Sequence, residues 1–494
     1  MRTRLALAYV AAGLLAVTAR ADDRGATLSQ QYCGSCHVRP DPSVLDKSTW
    51  TSKVFPMMRQ YMGLDPKPEL GGSAHDLASF YPAHPMMTED DWFTVASWYL
   101  DNAPQRLPIP ERIPLTVSTR FSIDTTRRVL SVPPMAVMTM QAPGIGGLAV
   151  GHAMKGTITH LSDDGQISTI NVGGPPVSVT TIKGQWYIAN MGNLLPHDSA
   201  VGSIVSWNPQ QPKRPVQTVI KGLRRPTHVV AADLNGNGKQ DLVVCEFGNR
   251  LGRFGWYENT GRAWKYHSLA NIPGAVRSEV IDLDGNGLLD IVVLMAQSME
   301  GIIAYKNLGR GRFEQIPLLQ FHPAFGASSF RFADLDGNGN LELIVTAGDN
   351  GDYEDPPLKP YHGVYVYAQQ SPFEYSQTHF LPQHGAYGTA VVDIDLDGDL
   401  DIICNSFFAD YTANIPDAAL VWERHSDGSY TPSSLPGMSK GRWLTMATHD
   451  VDGDGDEDII LGNAAFGPGA VPEALQLQWT RSTDLILVLE NHTR

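Results

Sequence analysis

Five times along its C-terminal two thirds the chain writes D-x-[DN]-x-[DN]-G-x-x-[DE] and follows it with a short apolar run. The copies begin at Asp233, Asp282, Asp334, Asp393 and Asp450, at intervals of 49, 52, 59 and 57 residues. That period suits a four-stranded unit and is too long for a hairpin, so the pattern requires a repeat architecture. Oxygen side chains at positions one, three, five and nine, with a glycine at six, suit a hard divalent cation that wants six to eight oxygens. An ordinary Asp/Asn/Gly turn explains one copy, but five copies with the same spacing point to calcium.

The expected ligands are Asp233, Asn235, Asn237 and Asp241; Asp282, Asp284, Asn286 and Asp290; Asp334, Asp336, Asn338 and Glu342; Asp393, Asp395, Asp397 and Asp401; and Asp450, Asp452, Asp454 and Asp458. Acid content ranks the last two loops strongest and the first weakest. The formal charge is −15, and loss of an N-terminal leader carrying Arg2, Arg4 and Arg20 takes it to −18. Up to five bound calcium ions would bring this to about −8 and relieve self-repulsion. So acidic a surface argues against a nucleic-acid partner.

The first residues read as an export signal. Arg2 and Arg4 precede the apolar run Leu5 to Val17, and Ala19-Arg20-Ala21 is a cleavage pattern, so 1–21 is expected to be removed. The expected location is the periplasm or the exterior. No later apolar stretch is long enough to span a bilayer, so no transmembrane anchor is expected. Of four cysteines, Cys245 and Cys404 sit in strand runs of different repeats and read as buried, unpaired thiols.

Cys33-Gly34-Ser35-Cys36-His37 is the C-x-x-C-H pattern of covalent haem attachment. Two thiols at this spacing add to the haem vinyl groups, and the histidine turns onto the iron. Zinc would need two further ligands, and a thioredoxin-like site a βαβ context; neither is visible. Helices are expected from Ala26 to Cys33, from Ser48 to Met62, and from Trp92 to Leu100 behind the N-cap Thr88 and the acids Glu89, Asp90 and Asp91. Ala103 to Pro114 carries four prolines and reads as a stiff spacer. The expected organisation is a haem domain over 22–104, a linker over 105–114 and the repeat domain over 115–494.

The first domain resembles a small all-α class I cytochrome c. Class I geometry implies Met86 or Met87 as the sixth ligand. The run Trp50…Val54-Phe55-Pro56-Met57-Met58…Gly63 instead resembles a segment of haem domains fused to acidic-repeat propellers, which implies Met58; Met57 and Met62 are the other candidates. The acidic loops resemble the FG-GAP/VCBS repeats of secreted bacterial proteins and integrin α-chains, which implies an all-β propeller. Ile113 to Gly222 has room for two further blades, giving seven, with six or eight as alternatives. Strands near Leu485 to Leu489 and Leu115 are expected to close the ring. The segment Asp349-Asn350-Gly351-Asp352-Tyr353…Lys359-Pro360-Tyr361-His362-Gly363 also resembles that family and reads as a long blade insertion.

Three functions follow. One is electron transfer to a redox partner protein, with one haem c and the propeller as docking platform. A second is a haem-coupled dehydrogenase with its small-molecule site in the propeller. A third is carbohydrate binding or adhesion with a redox-sensing haem. Counting back from each acidic loop puts His228, Arg277, Glu279, Arg331 and His449 on one strand face, the place to look for such a site.

Overall fold

The computed structural model describes residues 24–66, 80–110, 112–297, 299–352, 357–469 and 471–494. The expected leader, its cleavage site and Tyr353 lie outside these. The chain divides into two compact units: residues up to Ile109 with His322–Ala324, and the rest. Among the described residues no helix is long and apolar enough to cross a membrane.

The first unit is helical. A helix over 24–32 runs into a tight turn at Cys33–Ser35. A second begins at Lys47, widens to a π-turn over Trp50–Val54 and continues as Phe55–Tyr61. Asp46 caps it by accepting from the Thr49 amide at 2.9 Å. The third, Glu89–Asn102, starts where Thr88 Oγ1 accepts from the Asp91 amide at 3.1 Å, with three acids in its first turn. These helices bury Leu45, Trp50, Met62, Met87, Trp92, Val95 and Tyr99 in one cluster. Two polar tips are satisfied inside it: Trp50 Nε1 donates to the Pro42 and Leu45 carbonyls, and the Tyr99 hydroxyl to Pro40.

The second unit is a β-propeller of seven four-stranded antiparallel sheets. Blades one to six occupy 136–171, 176–223, 226–270, 275–320, 327–382 and 386–434. The seventh combines three strands from 443–491 with Phe121–Asp124. Ring closure is therefore made by Phe121–Asp124 against Ile486–Asn491, Phe121 facing Asn491 and Asp124 facing Val488. Leu115, expected in that role, instead packs on the apolar cluster shared by blades five and six. The two blades expected before the acidic loops are present and use other turns.

Each acidic loop joins the first strand of a blade to the second. The second strands (Asp241–Glu246, Asp290–Met295, Glu342–Ala347, Asp401–Ser406 and Asp458–Asn463) are buried along their whole length, which explains their unbroken apolar runs: both faces meet neighbouring blades. One cluster interleaves Val243, Phe254 and Trp256 of blade three with Ile291, Ile303 and Tyr305 of blade four. Cys245 and Cys404 are free thiols in these strands, wholly buried.

The seven first strands lie side by side and line the axis. Every one of them carries a register shift between its first and third residues, for example Pro226/His228, Ala275/Arg277 and Ala327/Ser329. Such a bulge breaks the two-residue alternation of side chains at that end.

The loops place left-handed backbone at position four as well as position six. Position four is Gly236, Gly285, Gly337 and Gly453 in four copies, but Leu396, at φ 60°, in the loop that begins at Asp393. A Cβ in that conformation costs about 1–2 kcal/mol, of which glycine's extra chain entropy takes back part. Leu396→Gly is expected to stabilise the propeller by up to about 1 kcal/mol, seen as a small rise in Tm; a fall would show that the leucine side chain contributes more than its backbone costs.

Candidate functional site

In all five acidic loops the position-one carboxylate accepts from the position-six glycine amide, at 2.8 to 3.1 Å. The position-three oxygen accepts from the position-five amide, at 3.1 to 3.3 Å. The position-nine carboxylate, buried at the start of the second strand, accepts from the position-two amide. Its other oxygen, in four of the loops, takes an amide from the third strand: Asn259 on Asp241, Asn307 on Asp290, Arg424 on Asp401 and Asn491 on Asp458.

Positions one, three and nine converge to within 4.8 Å in four loops: Asp282, Asp284 and Asp290; Asp334, Asp336 and Glu342; Asp393, Asp395 and Asp401; Asp450, Asp452 and Asp458. Three carboxylates so close suit a hard divalent cation, and these clusters can hold calcium. Asp397 and Asp454 fall outside the groups. Like Asn237, Asn286 and Asn338, they accept the position-seven amide. The first loop, with Asn235 at position three, brings only Asp233 and Asp241. Burial pushes Asp401 and Asp458 up to about 6, the neighbouring loop carboxylates add to the rise, and the backbone amides oppose it. A divalent cation offsets that repulsion. Chelation is expected to lower the Tm, and added calcium to restore it more fully than magnesium; an unchanged melt with chelator would deny these loops a bound ion.

The channel is a cavity of about 400 Å³ lined by all seven first strands. His228, Arg277 and Arg331 line it, as the strand count expects. Glu279 is drawn to Arg277, its Oε1 3.1 Å from Nη2. His449 is not among the lining residues: its Nε2 sits 2.8 Å from Asp163 Oδ1, and Nδ1 3.3 Å from Gln141. The bulges bring Thr227, Val276 and Ser328 into the lining beside their neighbours, which a strict alternation misses. Burial, then Arg277 and Arg331, hold the His228 ring well below its usual pKa. Burial, then Arg277, bring Arg331 down to about 10, with Glu279 opposing.

A second cavity of about 250 Å³ is lined by Arg112, Ile113, His362, Gln383, His384, Asp410 and Asp417 among others. Nothing periodic in the sequence marks it, because its groups come from the proline-rich entry segment and three irregular connections. His384 Nδ1 lies 2.8 Å from Asp417 Oδ2. Asp417 is fixed by the His384 and Asp410 amides, and Arg112 pairs with Asp410. Burial opposes the charged ring, but the bond and charge of Asp417, with help from Asp410, outweigh burial and Arg112, so the His384 pKa is raised above 6.5. The pair therefore contributes stability that is full below pH 6.5 and is lost as pH rises through the folded value. Asp417→Asn is expected to lower the His384 titration midpoint in a proton NMR titration; an unmoved midpoint would show the pair is not ionic.

The expected blade insertion runs between Ala347 and Gly363, and its described part is anchored by charge. Lys359 is 2% exposed; burial takes it down to about 8 against the attraction of Asp349, Glu300 and Asp352. Glu300, also buried and raised to about 8, accepts from the Ala327 amide at 2.6 Å.

In the first unit Cys33 is half-buried and Cys36 exposed, both free thiols. His37 Nδ1 is 2.9 Å from the Val38 carbonyl and donates to it, and in the neutral ring this tautomer leaves the lone pair on Nε2. Cys33 and Met58 both pack, half-buried, on the same apolar cluster. Met62 and Met87 are core residues, whereas Met57 and Met86 are exposed.

The FG-GAP-like repeat family matches residues 233–293 and 282–345. The chain thus carries FG-GAP-like repeats on a seven-bladed propeller. No curated protein matches it. Among solved structures, a protein from Lactobacillus plantarum determined as a structural-genomics target is 12% identical, over 67% of this chain and 89% of that one, with a TM-score of 0.40. At that score the likeness carries no argument, and the fold rests on the strand pairing above.

Proposed function

We propose that this chain is an exported mono-haem c-type cytochrome for electron transfer, with a calcium-holding propeller as its docking or ligand-binding platform. The observation that carries this reading is the state of the C-x-x-C-H segment. A catalytic dithiol needs a lowered thiol pKa. Burial instead pushes Cys33 up to about 11, against the pull of Arg39. Two unpaired thiols and a histidine with Nε2 available fit covalent haem attachment better than redox or zinc chemistry. Cys33 and Cys36 would hold the group, His37 would ligate the iron, and Met58, which packs on the same apolar cluster as Cys33, is the proposed sixth ligand. Bound there, haem would supply one-electron chemistry; the chain's part is to exclude water and to hold His37 by its Nδ1.

The haem-coupled dehydrogenase is the second reading, favoured by the basic groups in the channel. Reduction of the protein by a single small molecule, without a partner protein, distinguishes it from the carrier.

Expression with the c-type maturation machinery tests the proposal. The protein is expected to keep haem through denaturing electrophoresis and to show a pyridine haemochrome spectrum of two thioethers. Cys36→Ala is expected to shift that spectrum to the single-thioether form. Met58→Ala is expected to remove the sulfur-to-iron band of the oxidised state. Absence of covalent haem under these conditions would end the cytochrome reading; a band that survives Met58→Ala would move the sixth ligand elsewhere.

A further inference from the structure

His228, Arg277 and Arg331 belong neither to the acidic loops nor to the C-x-x-C-H segment, yet they converge on the channel from three successive blades. Arg331 spends Nε on the Thr389 carbonyl at 2.5 Å. Arg277 gives Nη2 to Glu279, but its Nε is buried with no hydrogen-bond partner among the described residues, as is the Thr389 hydroxyl. His228 Nδ1 accepts from the Ser278 amide at 3.4 Å, so the neutral ring carries its proton on Nε2. Two arginines against one glutamate leave a single surplus positive charge, with donors to spare, inside a chain whose formal charge is −15. The Arg277 side chain is 26% exposed, so the surplus charge faces the channel, and a cleft lined by one sign of charge draws a counter-ion.

The opposite wall is of another kind. Blades one and seven present Val137, Met138, Met140, Leu444 and Met446, side chains that suit an apolar body of adaptable shape. The cavity, about 400 Å³, is far larger than one inorganic oxyanion requires. One surplus charge matches a monoanion, and a planar carboxylate matches a guanidinium fork.

We infer that the channel binds a small organic monocarboxylate, its head on Arg277 and Arg331 and its apolar body against Met138, Met140 and Met446. The inference rests on reading the propeller as a ligand-binding platform and uses none of the haem-attachment residues. His228, kept neutral by burial and by the two arginines, adds a donor rather than a charge.

Titration calorimetry on the full-length, calcium-loaded protein tests it, with hexanoate, hexanol and inorganic phosphate as probes. Hexanoate is expected to bind at least about tenfold more tightly than the other two, the worth of one charge-assisted pair. Arg277→Gln is expected to weaken hexanoate by about tenfold or more and leave hexanol unchanged, while Arg277→Lys keeps part of the affinity. Because Arg331 also holds the Thr389 backbone, Arg277 is the residue to change, and a melting curve checks that each variant is folded. No hexanoate binding, equal binding by Arg277→Gln, or phosphate binding as tightly as hexanoate would overturn the inference. The visible spectrum of the same sample reports on haem separately: binding without haem would sink the cytochrome reading alone.

Discussion

The buried carboxylate that opens the second strand does three jobs at once in blades four, six and seven. Asp458 accepts the Val451 amide from its own loop and the Asn491 amide from the third strand, and it supplies an oxygen to the acidic cluster. Asp290 and Asp401 repeat the arrangement, and Asp241 repeats its two amide contacts. A carboxylate out of water is tolerable only with strong partners. Here the two amides and the cation site share that duty. Loop shape, strand registry and ion chemistry thus meet in one side chain, and none of them can change alone.

Much of this is legible in the sequence, because side chains that must meet a cation are spaced by the geometry of a tight turn. Position four of the loops is different. Its demand is on the backbone, so it shows only as a glycine in four copies, and Leu396 breaks even that trace. The closing strand Phe121–Asp124 is four residues long and sits at a blade edge, too short to show a clear alternation, and Leu115 looked the better candidate. The helices of the first unit were plain from Thr88, its three following acids and the spacing of Trp50, Val54 and Met58. The π-turn at Trp50–Val54 leaves no such mark.

The channel lies between these cases. Counting back from each loop finds His228, Arg277 and Arg331 because alternation holds along most of each first strand. It fails at the far end, where the bulge turns two successive residues the same way, and so it misses Thr227 and Ser328. His449 shares the face in principle but stands next to its loop, where Asp163 captures it. The cavity around His384 and Asp417 is built from the entry segment and irregular connections, so repetition offers no route to it.

One set of contacts links the loops to each other. Asn307, at the end of the third strand of blade four, donates to the Leu234 carbonyl inside the acidic loop of blade three. Gln369 reaches back to Leu283 in the loop of blade four, and Asn491 to Ile394 in the loop of blade six. The residue that anchors Asn307 or Asn491 is the position-nine carboxylate of its own blade. The loops of blades three and six are therefore tied to the ion site of the following blade, while blades one and two carry no acidic loop. The five sites form an open arc with two ends rather than a circle of equals. Coupling of this kind is local and has a direction: an ion lost from blade four or blade seven slackens the residue that holds the loop before it.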